Sequence, residues 1–142
     1  MSQLQARAAC ANAGKRLCSR AEWLTACKGA DGKRKFAYGD AFKAERCADR
    51  PVAKKKGEHP QPTGSMPDCQ TPEGVYDLSG NVWEWLADTQ GDGNPADLIG
   101  GGYGNEGKSM GCEQEERLGQ PVTQQGEAIG FRCCRDAANG AK

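Results

Sequence analysis

Gly74-Val75-Tyr76-Asp77-Leu78-Ser79-Gly80-Asn81-Val82-Trp83-Glu84-Trp85-Leu86-Ala87-Asp88 is the stretch on which the rest of the chain is organised. It holds two of the three tryptophans and one of the three tyrosines, with acidic residues set into an otherwise apolar run. Strand side chains alternate, so Val82, Glu84 and Leu86 are expected on one face and Trp83 and Trp85 on the other. Gly80-Asn81, just upstream, is a turn signal. The stretch therefore predicts a strand that carries large aromatics into the core with a carboxylate beside them. A buried carboxylate needs a cation, a metal or several N–H donors.

The surroundings of that strand are sparse in apolar residues. Of 142 residues only 37% are hydrophobic and 20 are glycine, with a mean hydropathy of −0.78. The length suits one domain, and the composition implies a loop-rich chain with a small core that needs covalent staples. Eight cysteines can supply them, at roughly 2–4 kcal/mol per bridge, and they point to an oxidising compartment. Zinc is the other use of cysteine, but there is no Cys-x-x-Cys pair and His59 is the only histidine. A formal net charge of zero argues against a general nucleic-acid binder. No stretch is long and apolar enough to span a membrane. The polar start Met1-Ser-Gln-Leu-Gln is no secretory signal, so the natural protein is expected to be longer than this chain.

Upstream of the central strand, Ser2 to Asn12 reads as a helix with Ser2 as cap and Gly14 as stop. Ser19-Arg-Ala-Glu22 is a capping box that opens a second helix, with Trp23, Leu24 and Cys27 on its inner side and Gly29 at its end. Asp31-Gly32 is a turn. Phe36 to Gly74 holds five of the seven prolines and no sustained period, and reads as a long irregular region. Lys54-Lys55-Lys56 and His59 are expected in its most solvated loop. Cys47 and Cys69 are placed to hold that region. Downstream, Asp88 to Leu98 reads as a polar loop. Asp88, Asp92, Asn94 and Asp97 there resemble a cation cluster but lack EF-hand spacing, which favours a solvated loop. Leu98-Ile99 is a short strand entering Gly100-Gly-Gly. Ile129 to Cys134 is the closing strand, with Ile129, Phe131 and Cys133 on one face.

Three ordered segments carry a family resemblance. Asp77-Leu-Ser-Gly-Asn-Val-Trp-Glu-Trp85 resembles the signature of the formylglycine-generating enzymes, the sulfatase-modifying factors. Gly14-Lys-Arg-Leu-Cys-Ser-Arg-Ala-Glu-Trp23 and Gly130-Phe-Arg-Cys133 flank it in the family's order, with Gly100-Gly-Gly-Tyr103 between. The resemblance runs from about Ala8 to Arg135. It implies an α+β, C-type-lectin-like fold in shortened form: two N-terminal helices packed on a small, mostly antiparallel sheet, loop-rich and disulfide-stapled. Residues 1–142 then form one domain, with a helical part at 2–29, an irregular region at 30–74, the sheet and binding loops at 75–135 and a tail at 136–142.

The resemblance also implies site chemistry. By it, Cys10 pairs with Cys133 and Cys27 with Cys112. Cys134 adjoins Cys133 and Cys18 opens the second helix, which gives Cys18–Cys134 and leaves Cys47–Cys69. The family's enzymes oxidise a cysteine in a substrate with copper and oxygen, holding copper on two thiolates just after the Gly-Gly strand. Soft Cu(I) needs such ligands. Here Asn105 falls at the first of those positions, Ser109 or Met110 near the second, and Cys112 matches the structural cysteine that follows. The oxidase site is therefore expected to be absent. One histidine also cannot supply the three-histidine iron site of a related branch. The family's calcium set maps onto Asp77, the backbone oxygens of Gly80 and Val82, and Glu84, a reasonable shell of hard oxygens. A competing reading pairs Glu84 with Arg132 and makes Asp77 a turn-former. The second calcium site would lie near Cys47 to Asp49, where Ala48 replaces a usual ligand. Neither Glu-Pro-Asn nor Gln-Pro-Asp occurs, which argues against calcium-dependent sugar binding.

These expectations combine into a non-catalytic, extracytoplasmic recognition domain with structural calcium and an unknown protein or glycan ligand. Its binding surface is the irregular segment from Gly101 to Gly126, with Tyr103, Asn105 and Glu106 as candidate contacts. By fold analogy, target-binding proteins diversified by bacterial retroelements use the same segment. Two alternatives stand beside it: a copper oxidase acting on cysteine peptides, and a purely structural module of a larger surface lipoprotein.

Overall fold

A computed structural model describes residues 1–89 and 95–138. Helix α1 spans Gln3–Asn12 and helix α2 spans Arg20–Lys28; each opens on a capping box, Ser2 with Gln5 and Ser19 with Glu22. The serine hydroxyl accepts from the backbone N–H three residues on, and that residue's side chain accepts from the serine N–H, so two otherwise orphaned donors are satisfied. Between the helices lies the two-residue strand β1, Arg16–Leu17. A third helix, α3, runs from Arg50–Lys56. Strands β2, Trp83–Thr89, and β3, Ala96–Ile99, are followed by a single 3-10 turn at Gly107–Met110. Strands β4, Ile129–Phe131, and β5, Cys133–Cys134, close the fold.

The central sheet has the order β3-β2-β4. β3 is antiparallel to β2, with Glu84 opposite Ile99, and β4 is parallel to it, with Glu84 opposite Gly130. β1 and β5 form a separate antiparallel pair, Leu17 opposite Cys133. The expected single closing strand is thus two, because the chain changes partner at Arg132. Ile129, Phe131 and Cys133 nevertheless join the same apolar cluster.

Alternation along β2 divides the core. Trp83 and Trp85 pack with Ala6 and Cys10 of α1, Leu17, Leu98 and Ile129. Leu86 packs on the opposite side with Trp23 and Cys27 of α2, Leu78 and Ile99. A third cluster joins Phe36, Cys47, Cys69 and Met110. β2 is covered on both faces, which is why residues 83–86 are all buried.

Four disulfides tie the loops to this frame: Cys10–Cys133, Cys18–Cys134, Cys27–Cys112 and Cys47–Cys69, with no free cysteine. They are the pairs expected above: α1 is fastened to the closing segment through Cys10, α2 to Cys112 through Cys27, and Cys18, just ahead of α2, to Cys134. Among the described residues no helix is long and apolar enough to cross a membrane.

The region 30–74 is not wholly irregular, since α3 lies in it. Pro51 is tolerated because it sits in the first turn, where its missing N–H has no helical partner to lose. Asp49 caps that turn, accepting from Val52 N at 3.0 Å. The basic triplet Lys54, Lys55 and Lys56 is exposed but belongs to the last turn of α3, where cations suit the helix dipole. His59 is exposed, its ring against the carbonyls of Lys56 and Pro60.

Candidate functional site

The turn before β2 is wound tightly, with positive φ at Asp77, Gly80 and Asn81. Gly80 is at φ +82, and a Cβ there would lie 2.5 Å from the Met110 methyl and 2.6 Å from the Ala48 carbonyl oxygen, so no other residue fits without rearrangement. Asn81 tolerates the left-handed region and ties three segments together. Its N–H donates to Ala48 O at 2.8 Å, its side chain exchanges hydrogen bonds with the Gln61 backbone, and its carbonyl accepts from Tyr103 N at 2.8 Å.

Glu84, 4% exposed, meets a guanidinium. Arg132 Nε donates to Oε2 at 2.6 Å and Nη2 to Oε1 at 2.7 Å, while Trp23 Nε1 donates to Oε2 at 2.8 Å. Arg132 Nη2 also reaches Tyr76 O at 3.0 Å. Burial disfavours the charged guanidinium, but the Glu84 charge and its hydrogen bonds outweigh that and hold the arginine above its usual range. Asp77 is buried too, and its Oδ2 accepts from Gly64 N at 2.8 Å. Burial pushes its carboxyl upward, and Glu84 adds to the shift against the lowering by Gly64 and Arg132.

This arrangement bears on the calcium set Asp77, Gly80, Val82 and Glu84. Three donors already use most of the four or so lone-pair positions of Glu84. A cation bound there must displace or share a buried bidentate arginine. The donors as placed do not fit calcium at Glu84; they form the guanidinium pair of the competing reading. Asp49, at the second expected calcium site, is fully buried with both oxygens engaged, Oδ1 by Val52 N and Oδ2 by Glu45 N at 2.7 Å.

The positions where a copper pair is expected have other tasks. Asn105 closes a turn: its Oδ1 accepts from Gly102 N and its carbonyl from Arg50 N, both at 2.9 Å, the latter joining the segment to α3. Ser109 Oγ donates to Glu116 Oε1 at 2.6 Å. Met110 is fully buried against Gly80 and Gly101. Cys112 is bridged to Cys27.

Of the candidate contacts, Tyr103 is half-buried and lines a cleft of about 210 Å³ with Arg50, Lys54 and Glu58 of the α3 region. Glu106 is exposed. Asn105 serves the backbone as described. Lys54 was expected only in a solvated basic loop, and Arg50 had no expected role; Asp49 followed by Pro51 is the signal of a helix start that places them four apart on one helix face. In the expected cation cluster, Asp88 Oδ2 accepts from Arg20 N at 2.5 Å and Asp97 Oδ1 from Gly119 N at 2.7 Å, while Asp92 and Asn94 lie outside the described residues.

Known proteins share this frame. The curated relatives include the inactive C-alpha-formylglycine-generating enzyme 2 of Bos taurus, 29% identical over 144 residues that cover 93% of this chain and 48% of that protein. The formylglycine-generating enzyme of Mus musculus is 35% identical over 88 residues, 56% of this chain and 23% of that one. The chain therefore spans half or less of the length of these relatives. Among solved structures, PvdO from Pseudomonas aeruginosa superposes with a TM-score of 0.70 at 22% identity, covering 92% of this chain and 58% of that chain. Treponema denticola variable protein 1 gives 0.62 at 22% identity, covering 86% and 48%. The model of the sulfatase-modifying factor enzyme 1-like domain matches residues 1–137. Almost the whole chain matches it, and the glutamate of its central motif and the arginine of its closing motif meet in the core, so the protein belongs to the sulfatase-modifying factor enzyme 1-like domain family.

Proposed function

We propose that this is a non-catalytic recognition domain that works outside the cytoplasm and presents the segment 101–126 to a protein or glycan ligand. The observation that carries the reading is the fate of sulfur. All eight cysteines are spent in disulfides, and the expected copper positions hold a turn-closing amide and a buried thioether. No thiolate pair is left to hold Cu(I). Two relatives carry the word "inactive" in their names, which agrees with this reading. The four bridges suit an oxidising compartment, and a stapled scaffold that displays irregular loops suits recognition.

The test is copper(I) titration of the native protein together with oxygen uptake on a cysteine-containing peptide. Neither tight copper binding nor peptide-dependent oxygen consumption is expected. Either one overturns the reading in favour of the oxidase. A protein and glycan array with native protein and Tyr103→Ala addresses recognition itself, with signal expected from the native protein and reduced for the variant; silence on both arrays favours the purely structural module.

Calcium on Asp77, Gly80, Val82 and Glu84 is not required by this proposal, because Arg132 already neutralises Glu84. Calorimetric addition of calcium to chelator-treated protein is expected to give no stoichiometric heat. A one-to-one isotherm restores the calcium set.

A further inference from the structure

The chain has two runs of three basic residues, Lys33-Arg34-Lys35 and Lys54-Lys55-Lys56, and the fold treats them differently. The first is pinned. Arg34 Nε donates to Cys27 O, Nη2 to Ala26 O, and Nη1 and Nη2 to the Glu73 carboxylate, all at 3.0 Å. Arg34 N donates to Lys28 O at 3.1 Å, and Lys35 O accepts from Cys112 N at 2.9 Å. The second run is open. Lys54, Lys55 and Lys56 are exposed, and so are Gly57, Glu58 and His59 beyond them, which belong to no helix or strand. Lys55 pairs with the exposed Glu45, while Lys54 and Lys56 have no ion-pair partner among the described residues.

Little holds this end of α3. The helix has seven residues, too few to stand without tertiary support, and its buried residues, Val52 and Ala53, lie ahead of the lysines. The last carbonyls of a helix have no partner within it. At the Lys56–Gly57 bond, Gly57 N donates to Ala53 O at 2.9 Å and the His59 ring meets Lys56 O at 3.1 Å. Residues 54–59 are all exposed, so unwinding that turn uncovers no buried residue and is cheap. Exposed polar segments of this kind are where proteases nick folded chains. Both flanks stay anchored: Asp49 caps α3 through Val52 N, and Gln61 is fixed to Asn81 by hydrogen bonds of 2.9 and 3.1 Å.

The cross-links are arranged around the same place. Cys10, Cys18, Cys27 and Cys47 precede Lys54, and their partners Cys133, Cys134, Cys112 and Cys69 all follow Gly57. The interval between Cys47 and Cys69 is the one part of the chain that all four bridges span. A break in Lys33-Arg34-Lys35 is spanned by three, since Cys47 and Cys69 both follow it.

We propose that Lys54-Lys55-Lys56 is a processing site for a trypsin-like serine protease, which converts the single chain into a two-chain molecule. At Lys56–Gly57, water adds across the peptide bond: the C–N bond breaks, a carboxylate forms on Lys56 and an ammonium on Gly57, with no change of oxidation state. Residues 1–56 and 57–142 remain joined by all four bridges. Lys54 and Glu58 line the Tyr103 cleft from opposite sides of the cut, so cleavage alters the charge that this cleft presents. The inference goes beyond the recognition reading and does not depend on it.

The test is limited proteolysis of the oxidised full chain with trypsin under native conditions. The first cut is expected within residues 54–57, with a mass gain of one water and a single band without reductant. Reduction should split that band into two fragments that meet within residues 54–57. Lys54→Gln, Lys55→Gln and Lys56→Gln combined should slow the first cut by at least about tenfold. Protein isolated from its native source should carry a second N terminus between Lys55 and Gly57. A first cut elsewhere, an unchanged rate in the triple variant, or only the uncut chain in the native source overturns the proposal.

Discussion

Glu84 is 4% exposed and keeps its charge company through Arg132 and Trp23. Removing one member of such a buried pair strands the other, at a cost of about 3–5 kcal/mol. Arg132→Met is therefore expected to destabilise the fold by that amount in urea unfolding. Arg132→Lys should recover little, since an ammonium cannot reproduce the bidentate fork or the bond to Tyr76 O. Near-native stability of Arg132→Met would show that another cation serves Glu84. A second residue-scale prediction concerns acid. Hydrogen bonds from Arg16, then from the Ser19 backbone, hold the Glu22 carboxyl at about 2, below its ordinary 4.5. A depressed native value stabilises the fold in full above about 4.5, and that contribution fades as pH falls through about 2. Glu22→Gln keeps a capping-box side chain but cannot ionise. Its stability deficit against the parent should be largest above pH 4.5 and close by about pH 2, read from urea midpoints across that range. Because Glu22 is well exposed to solvent, the deficit should shrink in high salt.

The helices show which signals a sequence makes plain. Ser2 and Ser19 announce α1 and α2 because a capping box is local: the cap, the N–H it satisfies and the reciprocal acceptor all lie within four residues. Alternation made the two faces of β2 legible in the same way, since it depends only on the pleat. α3 was hidden because Pro51 reads as a breaker unless its position in the first turn is known. β1 was hidden because two residues have no period, and it exists only through its pairing with Cys133–Cys134 more than a hundred residues away. The break at Arg132 is equally non-local, set by the demand of Glu84 for a guanidinium. In the site, that Asn105, Ser109 and Met110 carry no thiol could be read directly, whereas the cleft that brings Tyr103 to Arg50 and Lys54 could not, because these residues meet only in three dimensions. Element-scale stability should follow the caps. Ser19→Ala should cost about 1 kcal/mol. Asp49→Ala should cost about 2 kcal/mol, because Asp49 is fully buried and also holds Glu45 N. Urea midpoints of the two variants check that order.

At the scale of the molecule, three apolar clusters are small and each holds one cross-link within it. Cys10–Cys133 joins α1 to the closing segment, Cys27–Cys112 joins α2 to the displayed segment, and Cys47–Cys69 closes the region around α3. Replacing Cys10 and Cys133 by serine should cost about 2–5 kcal/mol, measured by chemical denaturation under oxidising conditions. Because Cys18–Cys134 still closes nearly the same long span, losing Cys47–Cys69, whose own span is 22 residues, should cost at least as much on chain-entropy grounds. That ranking tests whether the bridges act mainly by restricting the denatured chain.

Cys10 and Cys133 are 123 residues apart in sequence and 5.5 Å apart between Cα atoms. Mechanical tension that enters ahead of Cys10 and leaves beyond Cys134 passes through one sulfur–sulfur bond and bypasses nearly all of the polypeptide. Pulled between its two ends, the domain is an inextensible link rather than a spring. A single-molecule force trace should show almost no lengthening until a reductant is added, and then a release of the hidden contour.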